Sequence, residues 1–159
     1  MKILDLDKTI KEIEKLKQQN LKIILVGGCF DVIHPGHLRF LEKAKRAGDI
    51  LIVALEPDEK VRELKGEGRP VNNQKKRANE LAKFSSVDMV LLLPYLKNDK
   101  DYFYLVESIK PNIIATTEDD PKIELKKKQA EAGGGKIEIV IPRLKEYSTS
   151  KLVKTSNSQ

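Results

Sequence analysis

The sequence predicts an α/β domain built on a five-stranded parallel sheet with helices on both faces. Short aliphatic runs alternate along the whole chain with longer stretches whose apolar residues recur at helical spacing. The aliphatic runs are apolar at consecutive positions rather than at every second one, as strands covered on both sides require. The length of 159 residues suffices for one core and is too short for two sizeable ones.

The elements follow in order. Leu6, Ile10, Ile13 and Leu16 share one helical face, Asp5 is placed to cap the start and Asn20 suits a left-handed residue after the end, so a leading amphipathic helix spans 5–20. Lys22 to Val26, stopping at Gly27-Gly28, is the first strand. From Pro35 the spacing of Leu38, Phe40, Leu41 and Ala44 is helical, and Gly48 is expected to close that helix. Ile50–Leu55 follows as a strand, Gln74–Phe84 as a helix, Met89–Leu93 as a strand and Asp101–Ile109 as a helix. Ile113–Ala115 is a short strand, Ile123–Ala132 a helix closed by Gly133-Gly134-Gly135, and Lys136–Ile141 a strand. Ser148 opens a last short helix, and 155–159 reads as a frayed tail behind a domain covering 1–154. In such an open sheet a ligand lies beyond the carboxyl ends of the strands, where strand order reverses.

Composition narrows the classes. Thirty Lys and Arg against 24 Asp and Glu leave a net charge of +6, and the surface should attract anions. With 40% hydrophobic and 34% charged residues the chain is too apolar for disorder and too charged for a membrane protein. No run approaches the roughly 18 to 20 apolar residues of a membrane span, and the first twenty residues do not resemble a signal peptide. A cytoplasmic protein is expected, with no membrane and no nucleic-acid partner, since acidic residues interrupt the basic ones throughout. The one cysteine, Cys29, forms no internal disulfide and belongs to no zinc ribbon.

Chemistry concentrates in the loop after the first strand, Gly28-Cys29-Phe30-Asp31-Val32-Ile33-His34-Pro35-Gly36-His37, which holds both histidines of the chain. Pro35 fits a first helical position, so His34 falls at the cap and His37 one turn in, at the positive end of the helix. Amides there bind phosphate, and two imidazoles three residues apart can donate to phosphate oxygens as charge builds in a transition state. Attack on a nucleotide phosphate is the chemistry indicated. The competing readings are two capping or core histidines, or a metal pair, which lacks further Cys or His ligands. Cys29 reads as a small buried hydrophobe. Lys126-Lys127-Lys128 lies opposite Ile123, Leu125 and Ala130 and reads as a solvated face.

Three ordered motifs carry a family resemblance. The His34-Pro35-Gly36-His37 stretch with its Gly28-Cys29-Phe30-Asp31 lead-in resembles the His-x-Gly-His nucleotidyltransferases of the cytidylyltransferase-like group. Leu64-Lys65-Gly66-Glu67-Gly68-Arg69-Pro70-Val71-Asn72, followed by Arg77, is similar to bacterial heptose-phosphate adenylyltransferases. Pro142-Arg143 and Tyr147-Ser148-Thr149-Ser150-Lys151-Leu152 resemble the Pro-Arg and Ile-Ser-Thr-Thr signature of glycerol-3-phosphate cytidylyltransferases and their adenylyl relatives.

The resemblance implies a Rossmann-like fold and an in-line displacement, in which an acceptor phosphate attacks the α-phosphate of a nucleoside triphosphate and pyrophosphate leaves. By position, His34, His37 and Lys65 would be catalytic. Gly28, Cys29, Phe30, Asp31, Gly36, Arg143, Ser148, Thr149 and Ser150 would hold the nucleotide, and Arg69 and Arg77 the acceptor or its phosphate, with surface solubility the competing account of Lys65, Arg69 and Arg77. No protein metal site is expected; Mg2+ would travel on the triphosphate. The partners implied are a nucleoside triphosphate, ATP before CTP, and a small phosphorylated acceptor, a sugar phosphate before a polyol phosphate. A homodimer is expected, with Tyr102, Phe103 and Tyr104 as packing residues suited to a subunit contact.

The chain also departs from the pattern. Thr116-Thr117-Glu118-Asp119-Asp120 replaces the Lys-Gly-Gly-Asp of heptose enzymes and the Gly-Asp-Asp of cytidylyl enzymes, and Glu146 replaces a glycine before Tyr147. These departures favour one alternative, a catalytically weak nucleotide-binding regulatory module, and the resemblance itself leaves two others, glycerol-3-phosphate cytidylyltransferase and flavin-nucleotide synthetase.

Overall fold

A computed structural model describes residues 2–142 of the chain. The elements run β1 (Ile3–Leu4), α1 (Leu6–Gln18), β2 (Ile23–Gly28), α2 (Pro35–Lys45), β3 (Ile50–Leu55), α3 (Asp58–Lys65), α4 (Gln74–Ala82), β4 (Met89–Leu92), α5 (Asp99–Ile109), β5 (Ile113–Thr117), α6 (Ile123–Ala132) and β6 (Lys136–Ile141). The expected α/β architecture is present, with one correction to the sheet: among the described residues it has six strands, not five. The addition is β1, two residues ahead of the leading helix, which pairs in parallel with β4 through Ile3↔Val90 and Leu4↔Leu91. Two residues carry no readable periodicity, and only the neighbouring strand makes them a strand.

All pairings are parallel, in the order β1-β4-β3-β2-β5-β6. The central strands are buried on both faces. Ile24, Val26, Leu51, Val53, Leu55, Val90, Ile113 and Ala115 point to one side and pack with Phe40, Leu41 and Ala44 of α2 and Ala78 and Leu81 of α4. Ile23, Leu25, Ile52, Ala54, Met89, Leu91 and Ile114 point to the other, against Ile13 of α1, Leu105, Val106 and Ile109 of α5 and Ala130 of α6. A shift of one residue in any central strand would exchange two apolar faces, so the pattern tolerates it poorly only because side-chain sizes differ; the alternation itself places α2 and α4 on one side and α1, α5 and α6 on the other.

Helix ends follow local chemistry. Asp5 caps α1 by accepting from Lys8 N at 2.9 Å, and Asn20 takes the expected left-handed turn with φ 61°. Helix α2 stops at Lys45, before Gly48. Gly48 serves packing instead: a Cβ there would lie 2.7 Å from Ile24 Cδ1 and 3.1 Å from Lys22 O. Helix α3 has no counterpart in the sequence reading. It is short, is acidic in its first turn at Asp58 and Glu59, and buries only Lys60 and Val61. The last helix expected from Ser148 and the tail lie outside the described residues.

The strand order places the functional end. From β2 the chain adds β3 and β4 on one side, then crosses to add β5 and β6 on the other. The carboxyl ends of β2 and β5 therefore flank the crevice where strand order reverses.

Candidate active site

The loop leaving β2 is folded tightly against the sheet. Phe30 takes a left-handed backbone, φ 46°, that side chains other than glycine seldom adopt. Its ring is fully buried in the α2–α4 core and lies 5.3 Å from the His37 ring. Cys29 is buried too, and burial pushes its thiol pKa up, with Lys65 close enough to act against that shift. Phe30 and Cys29 thus have buried side chains, and only their backbone is available to a ligand.

His34 is the N-cap of α2. Its Nδ1 accepts from Gly36 N at 3.1 Å, and Nδ1 of His37 accepts from His34 N at 3.1 Å, a reciprocal box at the helix start. The rings stack with centroids 3.8 Å apart. Because each Nδ1 is an acceptor, the proton of each neutral imidazole resides on Nε2, so the box fixes both rings as Nε2–H donors at the positive end of the helix. His37 is buried and His34 partly so.

Asp31 ties a second segment to this loop. Its Oδ2 accepts from Arg69 Nε at 2.6 Å and Val71 N at 2.8 Å, its Oδ1 from Asn72 N at 3.0 Å, and its carbonyl from Asn72 Nδ2 at 3.0 Å. Burial alone would raise its pKa, but the amides of Asn72 and Val71 and the Arg69 guanidinium more than offset it and hold the carboxyl below its usual value. The segment it holds begins after α3 at Gly66 and Gly68, with φ of 100° and 86° and open space around both. Lys65 ends α3 at the edge of this loop. Both Asp31 oxygens are engaged, so Asp31 is a brace rather than a ready metal ligand. Among the described residues no three His, Cys, Asp or Glu side chains converge on a metal position.

Arg77, expected beside a phosphate, is the largest fully buried side chain among the described residues, and its guanidinium is engaged within the protein. Nε donates to Asn72 O at 2.9 Å, Nη1 to Cys29 O and Glu56 O at 2.8 Å each, and Nη2 to Asp58 Oδ1 at 2.7 Å. It joins the ends of β2, β3 and the Asp31-held loop from beneath. Gln74 does similar work between strands, donating Nε2 to Leu55 O and Leu93 O at 3.0 Å. Neither role is visible in a sequence, because spacing shows which helix face a residue occupies and not which carbonyls lie opposite.

Beyond β5, the departure from the family pattern is a closed turn. Asp120 accepts from Thr116 Oγ1 and Lys126 Nζ at 2.5 Å each and from Lys122 N at 2.8 Å. Burial pulls its pKa up, but Lys126 and Thr116 hold the carboxyl below the usual range. Arg143, Glu146, Ser148, Thr149 and Ser150 lie outside the described residues.

Comparison with known proteins shows the family of this chain. The family model described as cytidylyltransferase-like covers residues 25–155. The chain belongs to the cytidylyltransferase-like family. The expected class, nucleotidyltransferase, agrees with that membership. "Bifunctional protein HldE" of Campylobacter jejuni is 46% identical over 118 residues, covering 71% of this chain and 24% of the relative. The protein of the same name from Desulfatibacillum aliphaticivorans is 34% identical over 142 residues, covering 89% of the chain and 28% of the relative. The chain thus spans about a quarter of the length of these curated relatives. A crystal structure of a lipopolysaccharide core biosynthesis protein from Thermoplasma volcanium aligns with TM-score 0.58 and 25% identity over 80% of this chain and 99% of that one. Pantoate-beta-alanine ligase from Francisella tularensis aligns with TM-score 0.64 over 99% of this chain and 77% of that one. At 18% identity this second likeness shows the fold.

Proposed function

We propose that this chain transfers AMP from ATP to a sugar phosphate, with heptose 1-phosphate the first acceptor to test. The observation that carries the reading is the reciprocal cap of α2, in which both Nδ1 atoms accept, so that each neutral ring carries its proton on Nε2 at a helix N-terminus. The similarity to the bifunctional relatives supports the choice of acceptor.

In this reading an oxygen of the acceptor phosphate attacks the α-phosphorus in line, the bond from that phosphorus to the oxygen bridging to the β-phosphate breaks, and pyrophosphate departs with the electron pair. His34 and His37 donate to phosphate oxygens whose charge rises in the transition state. Lys65 balances the departing charge. Arg69, braced on Asp31, presents the remaining donors of its guanidinium to the acceptor or the triphosphate. Main-chain groups of Gly28, Cys29, Phe30 and Gly36 bound the nucleotide, and Arg143 with Ser148, Thr149 and Ser150 completes the triphosphate site. Magnesium fits as a companion of the triphosphate, since both Asp31 oxygens already accept hydrogen bonds from the protein, and when bound it would neutralise phosphate charge.

A homodimer belongs to the same reading; Tyr104 on α5 leaves 55% of its surface open, which suits a subunit contact, and light scattering decides it. Pyrophosphate release across four nucleoside triphosphates and a panel of phosphorylated acceptors tests the activity. ATP with heptose 1-phosphate should be fastest; a preference for CTP with glycerol 3-phosphate would replace this reading with the cytidylyl one.

A further inference from the structure

The carboxyl end of β3 carries a polar cluster that neither the histidine pair nor the Asp31 brace uses. Glu56 is the first residue after the strand. Its N donates to Gly28 O at 3.1 Å, and its carbonyl accepts from buried Arg77 at 2.8 Å, so its backbone is fixed directly beside the exit of β2. Its Oε2 accepts from Tyr102 Oη of α5 at 2.8 Å. Its Oε1 is enclosed and has no hydrogen-bond partner among the described residues.

The neighbouring cation does not fill that vacancy. Lys60 Nζ donates to Glu63 Oε2 at 2.8 Å, and it lies 4.7 Å from the centre of the Tyr95 ring and 5.6 Å from that of Tyr102. Tyr95 Oη donates to the other oxygen of Glu63 at 2.6 Å. Glu63 therefore takes two donors while Glu56, the more enclosed carboxylate, takes one. An enclosed carboxylate oxygen without a donor is costly, and burial pushes the Glu56 carboxyl up.

Resting on the sugar-phosphate reading above, we propose that Glu56 is a specificity-determining residue whose Oε1 accepts a hydrogen bond from a hydroxyl of the acceptor. The partner must be a donor. Phosphate oxygens cannot serve, which assigns the acceptor's phosphate to the histidine and Arg69 side and its hydroxylated body to the β3–α5 side. Tyr102 fixes the carboxylate from the other edge. Glu56 keeps part of its own surface open, and a glutamate carboxylate turns about a soft terminal torsion, so a hydroxyl can reach Oε1 while the backbone stays held.

The test compares wild type with Glu56→Gln and Glu56→Asp in pyrophosphate release, titrating heptose 1-phosphate at saturating Mg-ATP and then ATP at saturating acceptor. Glutamine keeps the shape and still accepts from Tyr102, but it turns an amide N–H toward the hydroxyl. The expected result is an acceptor KM at least tenfold higher in Glu56→Gln with the ATP KM within twofold of wild type, partial recovery in Glu56→Asp, and a melting temperature in Glu56→Gln no lower than wild type. An unchanged acceptor KM, or equal rises for both substrates, overturns the inference while leaving the sugar-phosphate reading standing. Wild-type enzyme that neither binds nor consumes heptose 1-phosphate overturns the reading and the inference together.

Discussion

At the scale of single residues, His34 and His37 do two separable things. Each cap hydrogen bond involves Nδ1, whereas the proposed chemistry uses Nε2. His37→Ala should therefore lower turnover by about 100-fold, as loss of a transition-state donor does. His34→Asn should lower it comparably while keeping a side chain able to cap α2, so the melting temperature should hardly move. Turnover within threefold of wild type in both variants would remove the pair from catalysis. Arg77 carries the opposite expectation. Its four hydrogen bonds serve the backbone and Asp58, so Arg77→Met should cost about 3 kcal/mol or more in urea unfolding by stranding buried carbonyls. A folded, equally stable Arg77→Met enzyme that had lost only acceptor affinity would restore it to the phosphate site.

At the scale of elements, the segment from Gly66 to Asn72 is held to the β2 exit by three donors on the Asp31 carboxylate, with the Asp31 carbonyl and Arg77 adding bonds to Asn72. The folded-state pKa of Asp31 is depressed, so the stability it contributes is fully present above the ordinary aspartate value near 3.9 and is lost as pH falls through the depressed value. Wild type should lose stability steeply in that acid window, and Asp31→Asn should start lower at neutral pH and show a flatter acid limb. Limited proteolysis with trypsin should cut Asp31→Asn faster after Lys65, which precedes Gly66; equal cutting rates would show the brace to be incidental.

The same element shows where sequence reading reaches its limit. The central strands, α1, α2, α4, α5 and α6 were legible because their apolar periodicity is dictated by the two cores. Helix α3 was not, because Leu64 at its apolar spacing is 57% exposed and the remaining pattern is too short. The placement of His34 at the cap of α2 and of His37 in its first turn was legible from Pro35 and the helical spacing behind it. Glu56, Asn72, Gln74 and the burial of Arg77 depend on which carbonyls and hydroxyls approach from other strands, and that is tertiary information.

Over the whole molecule, a parallel sheet with reversed order at β2 and β5 gathers the exits of β2, β3 and β5 at one end. The histidine cap, the Asp31–Arg69 brace and the Glu56 cluster all lie on segments leaving that end, and no described helix is long and apolar enough to cross a membrane. The central claim is that the paired Nε2–H donors serve a direct displacement at the α-phosphorus, in which acceptor and triphosphate are bound together and the protein forms no bond to phosphorus. It is tested most directly by counting pyrophosphate released per enzyme from ATP labelled in its α-phosphate, with and without heptose 1-phosphate. The account predicts release only when acceptor is present, with all of the label recovered in a nucleotide sugar and none on the protein. A burst of one pyrophosphate per enzyme without acceptor, leaving label on the protein, would contradict it.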